Sequence, residues 1–181
     1  MKFSLSREAF LKPLQFVVGV VERRQTLPIL SNVLLSLENG RLSMTGTDLE
    51  VEIVGFSDSG PEGEDGEVTV SARKLVDICR SLPDGAQINF SSGEGKATLK
   101  SGRSKFTLAT LPANEFPSVD EGEKTIEFVV KGSVLKGLIE ATSFAMAQQD
   151  VRYYLNGMLW DCLLYTYDAA DVLTRVHLCG C

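Results

Sequence analysis

Five groups of residues in this 181-residue chain have types and spacings from which chemistry could be built. Gly93-Glu94-Gly95-Lys96 has the character of a phosphate loop, but Phe90 stands where such a loop needs glycine. Ala97 also replaces the Ser or Thr that would hold magnesium, so no nucleotide site is expected. Asp48 and Glu50 could hold a metal, yet Glu50 alternating with Glu52 more simply marks the wet face of a strand. Cys162, Cys179 and Cys181 crowd the end of the chain with His177, at spacings that match no common zinc pattern. His177 is the only histidine, so the region before it lacks a base for Ser–His or Cys–His nucleophilic catalysis. A two-residue turn at Ser101-Gly102 would pair Lys100 with Arg103 and Thr98 with Lys105, and period two adds Lys96, placing four bases on one face. Such a face is either well solvated and screened by salt or meant for an anionic partner, whether phosphate or an acidic protein surface. Finally, Gln148-Gln149-Asp150-Val151-Arg152-Tyr153-Tyr154 sets an arginine and two tyrosines in a loop before a strand, where they would pack at a rim or meet nucleic acid or a docking peptide. No catalytic site, metal or cofactor is expected.

The elements that must carry these groups belong to an ordinary globular chain, with 44% apolar and 23% charged residues. No apolar run is long enough to span a bilayer, and the start goes directly into folded-type patterning, so a cytosolic protein with no membrane partner is expected. The net charge of −6 argues against a basic coat over the whole surface. Charge is regional, however: Asp58, Glu62, Glu64, Asp65 and Glu67 form an acidic loop, apart from the basic hairpin. Cys79 falls at helical spacing from Leu75 and Leu82 and reads as a buried thiol.

Short alternating segments predict strands over residues 2–5, 32–37, 41–45, 50–54, 67–70, 87–90, 96–100 and 105–109. Asn39-Gly40 is a second hairpin signal. One helix should follow the N-cap Ser6, with Phe10, Leu14, Val17, Val18 and Val21 on one stripe and a kink at Pro13. Another should follow Ser71, with Leu75, Ile78, Cys79 and Leu82 inward and Arg73, Asp77 and Arg80 outward; a third spans residues 133–147.

A strand, helix, three-strand unit therefore occurs twice within residues 1–120. A larger repeat is also present: Leu11-Lys12-Pro13-Leu14 returns as Leu135-Lys136-Gly137-Leu138, each after an apolar strand (residues 3–5 and 128–130). Leu30 to Leu34 returns as Leu155 to Leu159 at almost the same offset, which signals a duplicated domain joined through residues 120–124. After Leu159 the second copy should turn and enter a strand as the first does after Leu34, but residues 162–171 carry neither signal.

Met1-Lys2-Phe3, Thr26-Leu-Pro-Ile-Leu30, Thr45-Gly-Thr-Asp-Leu49, Ala72-Arg-Lys74 with Asp77-Ile-Cys-Arg80, Ser101-Gly-Arg-Ser104, Phe116-Pro117 and Gln149-Asp-Val-Arg-Tyr-Tyr-Leu-Asn-Gly157 together resemble the beta sliding clamps of bacterial DNA polymerase III. The resemblance runs from Met1 to about Trp160. It implies an α+β DNA clamp fold, with duplicated strand-helix-three-strand units and helices on one face of antiparallel sheets. It further implies a head-to-tail homodimeric ring around duplex DNA, which tethers the polymerase, is opened by a clamp loader and is itself non-catalytic. By the same resemblance Arg24, Arg73, Gln149, Tyr153 and Tyr154 face DNA, with Lys12 and Arg80 as helix-borne additions. Lys74, Ile78, Lys96, Arg103, Lys105 and Phe106 match the face that docks on the third domain of the neighbouring subunit, while Arg152 and Leu155 match one edge of the partner-peptide pocket. The implied domains are 1–121, complete, and 126–161, truncated. Residues 162–181 depart from the family and resemble the translation of a transposon-derived sequencing adapter, an assembly artefact. The alternative function is a truncated clamp-like module that regulates a clamp or its partners.

Overall fold

The computed structural model describes residues 1–21, 27–57, 63–93, 95–117 and 129–159. They fall into two compact units, Met1–Gly122 and Glu123–Cys181.

The first unit runs β1 (Lys2–Ser6), α1 (Arg7–Val17), a 3₁₀ turn (Pro28–Ser31), β2 (Asn32–Glu38), β3 (Arg41–Thr47), β4 (Glu52–Phe56), β5 (Gly63–Glu64), β6 (Gly66–Ser71), α2 (Ala72–Ser81), β7 (Gln87–Gly93), β8 (Lys96–Ser101) and β9 (Ser104–Leu111). The strand-helix-three-strand unit thus appears twice, with β5 as a short addition whose two residues carry no periodic signal. Every strand pairing is antiparallel, in the order β4-β3-β2-β6-β9-β8-β7-β1-β5. The leading strands are exchanged: β1 pairs with β7, and β6 pairs with β2.

Alternation decides which face each strand buries. Phe3 and Leu5, Leu35 and Leu37, Leu42 and Met44, Ile88 and Phe90, and Ala97 and Leu99 turn inward to one core with Phe10, Leu14, Val17, Leu75 and Cys79 from the helices. Helix α1 packs on β3 and β4, α2 packs on β2 and β6, and the helices touch each other. Close approach of α1 depends on two glycines. A Cβ at Gly46 would lie 2.7 Å from Val17 Cγ1, and one at Gly55 would lie 3.1 Å from Pro13 Cβ.

Ser6 caps α1 as its sequence suggests, its hydroxyl accepting from the Ala9 N–H at 3.3 Å. The helix continues through Pro13, which is buried against the sheet, and ends at Val17, although Val21 beyond it remains buried. Ser71 makes no side-chain cap; β6 runs directly into α2. The Asn39-Gly40 turn has positive φ at both residues (51° and 74°), as a two-residue hairpin with the right twist requires.

Two expectations are corrected in this unit. The basic hairpin turns at Gly102-Arg103 instead of Ser101-Gly102, because Gly102, at φ 53°, takes the first central position. Lys100 therefore faces Lys105, Thr98 faces Thr107, and Arg103 stands at the turn. Strand β4 begins at Glu52 and not at Glu50, because the Asp48 carboxylate accepts from the N–H groups of Glu50 (3.0 Å) and Val51 (2.7 Å). Residues 48–51 are thereby folded into a turn with Leu49 at φ 81°. Gly93 and Lys96, where no nucleotide site was expected, face each other across the β7–β8 hairpin.

In the second unit, α3 (Gly132–Thr142) is followed by 3₁₀ turns at Ser143–Ala145 and Tyr153–Asn156. The predicted helix to residue 147 stops early, where the Thr142 hydroxyl bonds back to the Leu138 carbonyl at 2.9 Å. Val129 and Val130 are in no strand, and neither are residues 157–159; Phe128 lies outside the described residues. A lone strand has no ladder to complete, and no described residue of this unit forms one. None of its described residues is buried. The larger repeat nevertheless has a local counterpart: the 3₁₀ turn containing Leu30-Ser31 is matched by the one containing Leu155-Asn156.

Candidate nucleic-acid interface

The outer side of the helical layer carries the first set of groups. Packing of Leu75, Val76 and Cys79 into the core turns Arg73, Lys74, Asp77 and Arg80 of α2 to solvent. Arg73 and Arg80, seven residues apart, share one stripe, with Asp77 between them. Lys12 is exposed on α1, whose opposite side is buried against β3 and β4. Arg24 lies outside the described residues.

The second set sits on the 149–156 loop, in the other unit. Asp150 Oδ1 accepts from the Arg152 N–H at 2.8 Å and from Arg152 Nε at 3.1 Å, and Oδ2 accepts from Nη2 at 3.1 Å. Arg152 accordingly holds the Asp150 carboxyl below its ordinary range, and the carboxylate raises the guanidinium. Asn156 closes the loop, its Oδ1 accepting from the Asp150 N–H (3.0 Å) and its Nδ2 donating to the Asp150 carbonyl (3.1 Å). Leu155 is half-buried, and its carbonyl accepts from the Ala147 N–H at 3.0 Å. Gln149 takes a positive φ of 60°, and Tyr153 and Tyr154 stand exposed, edge to face with ring centres 6.1 Å apart.

The third set is the hairpin face. Lys96, Lys100 and Lys105 lie on the side of the sheet opposite buried Ala97 and Leu99, and Arg103 is exposed at the turn. Phe106 points the other way, opposite Leu99; it and Ile78 of α2 are half-buried against the core. Strand β9 pairs with β8 along its length, but only Thr110 and Leu111 also pair with β6, so residues 104–109 leave one edge without a described strand partner. The short stitch to β6 is centred on buried Thr69. Its hydroxyl donates to the Leu111 carbonyl (2.8 Å) and accepts from the Leu111 N–H (3.3 Å) and from Asn32 Nδ2 (3.2 Å).

One cluster that positions the helices is absent from the sequence reading. Arg7, largely buried, donates from Nε to the Cys79 carbonyl near the end of α2 at 2.8 Å and from Nη1 to Asp84 at 2.6 Å. Glu8 accepts from the Gly85 N–H at 2.9 Å, the contact that most lowers its carboxyl below the ordinary value. A base in the first turn of a helix opposes the helix dipole, and this was the available signal that Arg7 serves another helix's C-terminus. Burial pushes the Cys79 thiol up to about 12. Among the described residues no three His, Cys, Asp or Glu side chains are grouped to hold a metal, and the Cys162, His177, Cys179 and Cys181 set lies outside them. Asp48 spends its carboxylate on backbone N–H groups, which lower it below the ordinary value. No helix among the described residues is long and apolar enough to cross a membrane.

The pattern of the family described as DNA polymerase III beta subunit, N-terminal domain, matches residues 1–120. The chain belongs to the DNA polymerase III beta subunit family. It is 62% identical over 159 residues to the beta sliding clamp of Pseudomonas aeruginosa, a match covering 88% of this chain and 43% of the relative. It is 52% identical over 161 residues to that of Escherichia coli K12, covering 89% and 44%. The crystal structure of the DNA polymerase III subunit beta from Pseudomonas aeruginosa superposes with a TM-score of 0.84 at 61% identity, covering 87% of this chain and 43% of that one. The Caulobacter crescentus pol III beta structure gives 0.82 at 42% identity, covering 87% and 42%. The α+β clamp fold is that of the family, and this chain spans less than half the length of these relatives.

Proposed function

We propose that the chain is part of a DNA sliding clamp, a non-catalytic ring subunit that encircles duplex DNA in the bacterial cytoplasm and confers processivity on the replicative polymerase. The observation that carries this reading is the helical layer: apolar stripes sink into one face of the sheet, and Lys12, Arg73 and Arg80 stand on the solvent side. A helical layer that presents arginine and lysine to solvent suits phosphate contact, which carries no sequence preference. Arg24, Arg73, Gln149, Tyr153 and Tyr154 are the DNA-facing set, with Lys12 and Arg80 beside them. Residues 1–121 form the first ring domain, 126–161 begin the second, and 162–181 belong to neither.

Lys74, Ile78, Lys96, Arg103, Lys105 and Phe106 form the subunit-docking face, and Arg152 and Leu155 form an edge of the pocket for the polymerase and the clamp loader. The docking reading is supported by the edge of β9 that has no partner among the described strands, where half-buried Phe106 and exposed Lys105 alternate. That edge also supports a second function, a module that occupies the interface of a complete clamp.

Fluorescence anisotropy with duplexes of unrelated sequence tests the first reading. Equal affinity across sequences with a steep salt dependence is expected; no binding at low salt would refute it for this chain. Gel filtration of the chain mixed with the Pseudomonas aeruginosa clamp tests the second. A mixed species that the Phe106→Asp variant fails to form is expected, and unchanged elution of the Pseudomonas aeruginosa clamp would remove the idea.

A further inference from the structure

We propose that Asp150 and Asn156 are positioning residues that lock the 149–156 loop with Tyr153 and Tyr154 turned outward, and that the Arg152 guanidinium is the third part of this lock. The inference rests on the DNA-facing reading of the two tyrosines.

The loop solves a physical problem. Val151, Tyr153 and Tyr154 are 96%, 83% and 68% exposed, so no core holds them in place. Apolar burial, the ordinary means of fixing an aromatic ring, is missing here. Polar contacts around a single residue replace it. Asp150 uses all four of its hydrogen-bonding sites inside the loop: its N–H and carbonyl go to the two ends of the Asn156 side-chain amide, and its two carboxylate oxygens go to the fork of Arg152. The Asn156 amide thereby stands in for a strand partner, and the two-point ion pair fixes the direction of Arg152 as a single charge contact would not. Leu155 N–H bonds to the Arg152 carbonyl at 2.9 Å, so the residues on either side of the tyrosines are tied to each other. Rings held this way lose little freedom when the sugar–phosphate backbone packs against them, which is how preorganisation raises affinity. The lock also neutralises the loop. Asp150 would otherwise repel phosphate, and with Arg152 laid across it the tip presents aromatic surface with no net charge.

The experiment uses the whole chain, a short fluorescein-labelled duplex at low salt, and NMR of the DNA-free protein. Asp150→Asn removes a negative charge, so charge counting alone predicts tighter binding, whereas the lock predicts weakening by about threefold to tenfold, the ordering cost of about one immobilised side chain. Arg152→Lys keeps the charge but loses the fork and should weaken binding to the same extent, as should the uncharged Asn156→Ala. In the free protein the Arg152 Nε–H and the Asn156 side-chain amide should be slow to exchange, and the Arg152 Nε–H should become fast in Asp150→Asn. The Tyr153→Ala, Tyr154→Ala double variant controls for the DNA reading. If it weakens binding while Asp150→Asn and Arg152→Lys bind as well as the parent, the positioning role is overturned and the DNA reading stands. If the tyrosine variant binds unchanged, the DNA reading of this loop fails, and the exchange measurement alone judges the lock. Fast exchange of both groups in the parent protein overturns the lock outright.

Discussion

Gly46→Ala tests how closely α1 must lie on the sheet. Gly46 is in the interior of β3 without a positive φ, so an alanine methyl there meets no backbone penalty. In open space the change would stabilise by about 0.5–1 kcal/mol, through the lost flexibility of the unfolded chain. The space is not open: the new Cβ would be 2.7 Å from Val17 Cγ1, 3.1 Å from the Val17 carbonyl oxygen and 3.3 Å from Val21 Cγ2. The first of these is about 1 Å short of a normal carbon–carbon contact, and relieving it lifts α1 from β3 at a cost of about 1–3 kcal/mol. A net loss of about 1–2 kcal/mol follows. Val17→Ala alone removes two methyl-sized groups from a fully buried site, for about 2–3 kcal/mol with the cavity included. The two changes together should cost less than their sum, because the alanine methyl occupies the space that Val17 Cγ1 vacates; a favourable coupling of about 1–2 kcal/mol is expected. Urea unfolding of the whole chain, followed by circular dichroism for the parent and three variants, measures the cycle. Additivity within about 0.5 kcal/mol, or a Gly46→Ala protein more stable than the parent, would refute the contact argument.

Thr69→Val removes an acceptor from Asn32 and a donor and an acceptor from the Leu111 peptide; unfolding by denaturant should show a loss of about 2 kcal/mol, and a change near zero would mean that the stitch to β9 carries no stability. Asp77→Asn removes the acid between Arg73 and Arg80 and should tighten duplex binding about twofold to threefold at low salt, while Arg73→Ala should weaken it and reduce the salt slope by about one. Identical salt slopes for the parent and Arg73→Ala would take Arg73 off the DNA. The Cys79 thiol, raised from its ordinary 9.0 to about 12 by burial, should resist alkylation at pH 8 until the protein unfolds. Because the unfolded chain loses that proton first, stability should fall as pH rises from about 9 towards 12; a flat profile there relative to Cys79→Ala would contradict the burial.

The strands were legible because each has one wet face and one dry face, so that Phe3 and Leu5 or Ile88 and Phe90 announce themselves by period two. The same rule could not register the basic hairpin. Moving the turn from Ser101-Gly102 to Gly102-Arg103 shifts each partner by two residues, which leaves every side chain on its original face and both turns with a glycine. Arg73 and Arg80 were visible as bases on the outer stripe of an amphipathic helix, and Tyr153 and Tyr154 as aromatics beside an arginine. The Arg7 cluster was not, since its contacts to Cys79 and Asp84 cross more than seventy residues of chain and follow no local spacing. The shift of β4 arose because Asp48 could claim the next N–H groups for a turn, and a carboxylate's choice of backbone partner leaves no trace in hydrophobic periodicity.

The exchanged leading strands impose an order in time. Lys2 and Ser6 find their ladder partners at Ser91 and Gln87, so β1, although synthesised before β7, cannot be completed until β7 has followed it. At about 5–20 residues per second that interval lasts several seconds, during which β1 has at most the two-residue β5 to pair with. Strand β2 likewise waits for β6. Neither half of the first unit can settle before the other, so folding is a single late, non-local event, of the kind that chain topology makes slow.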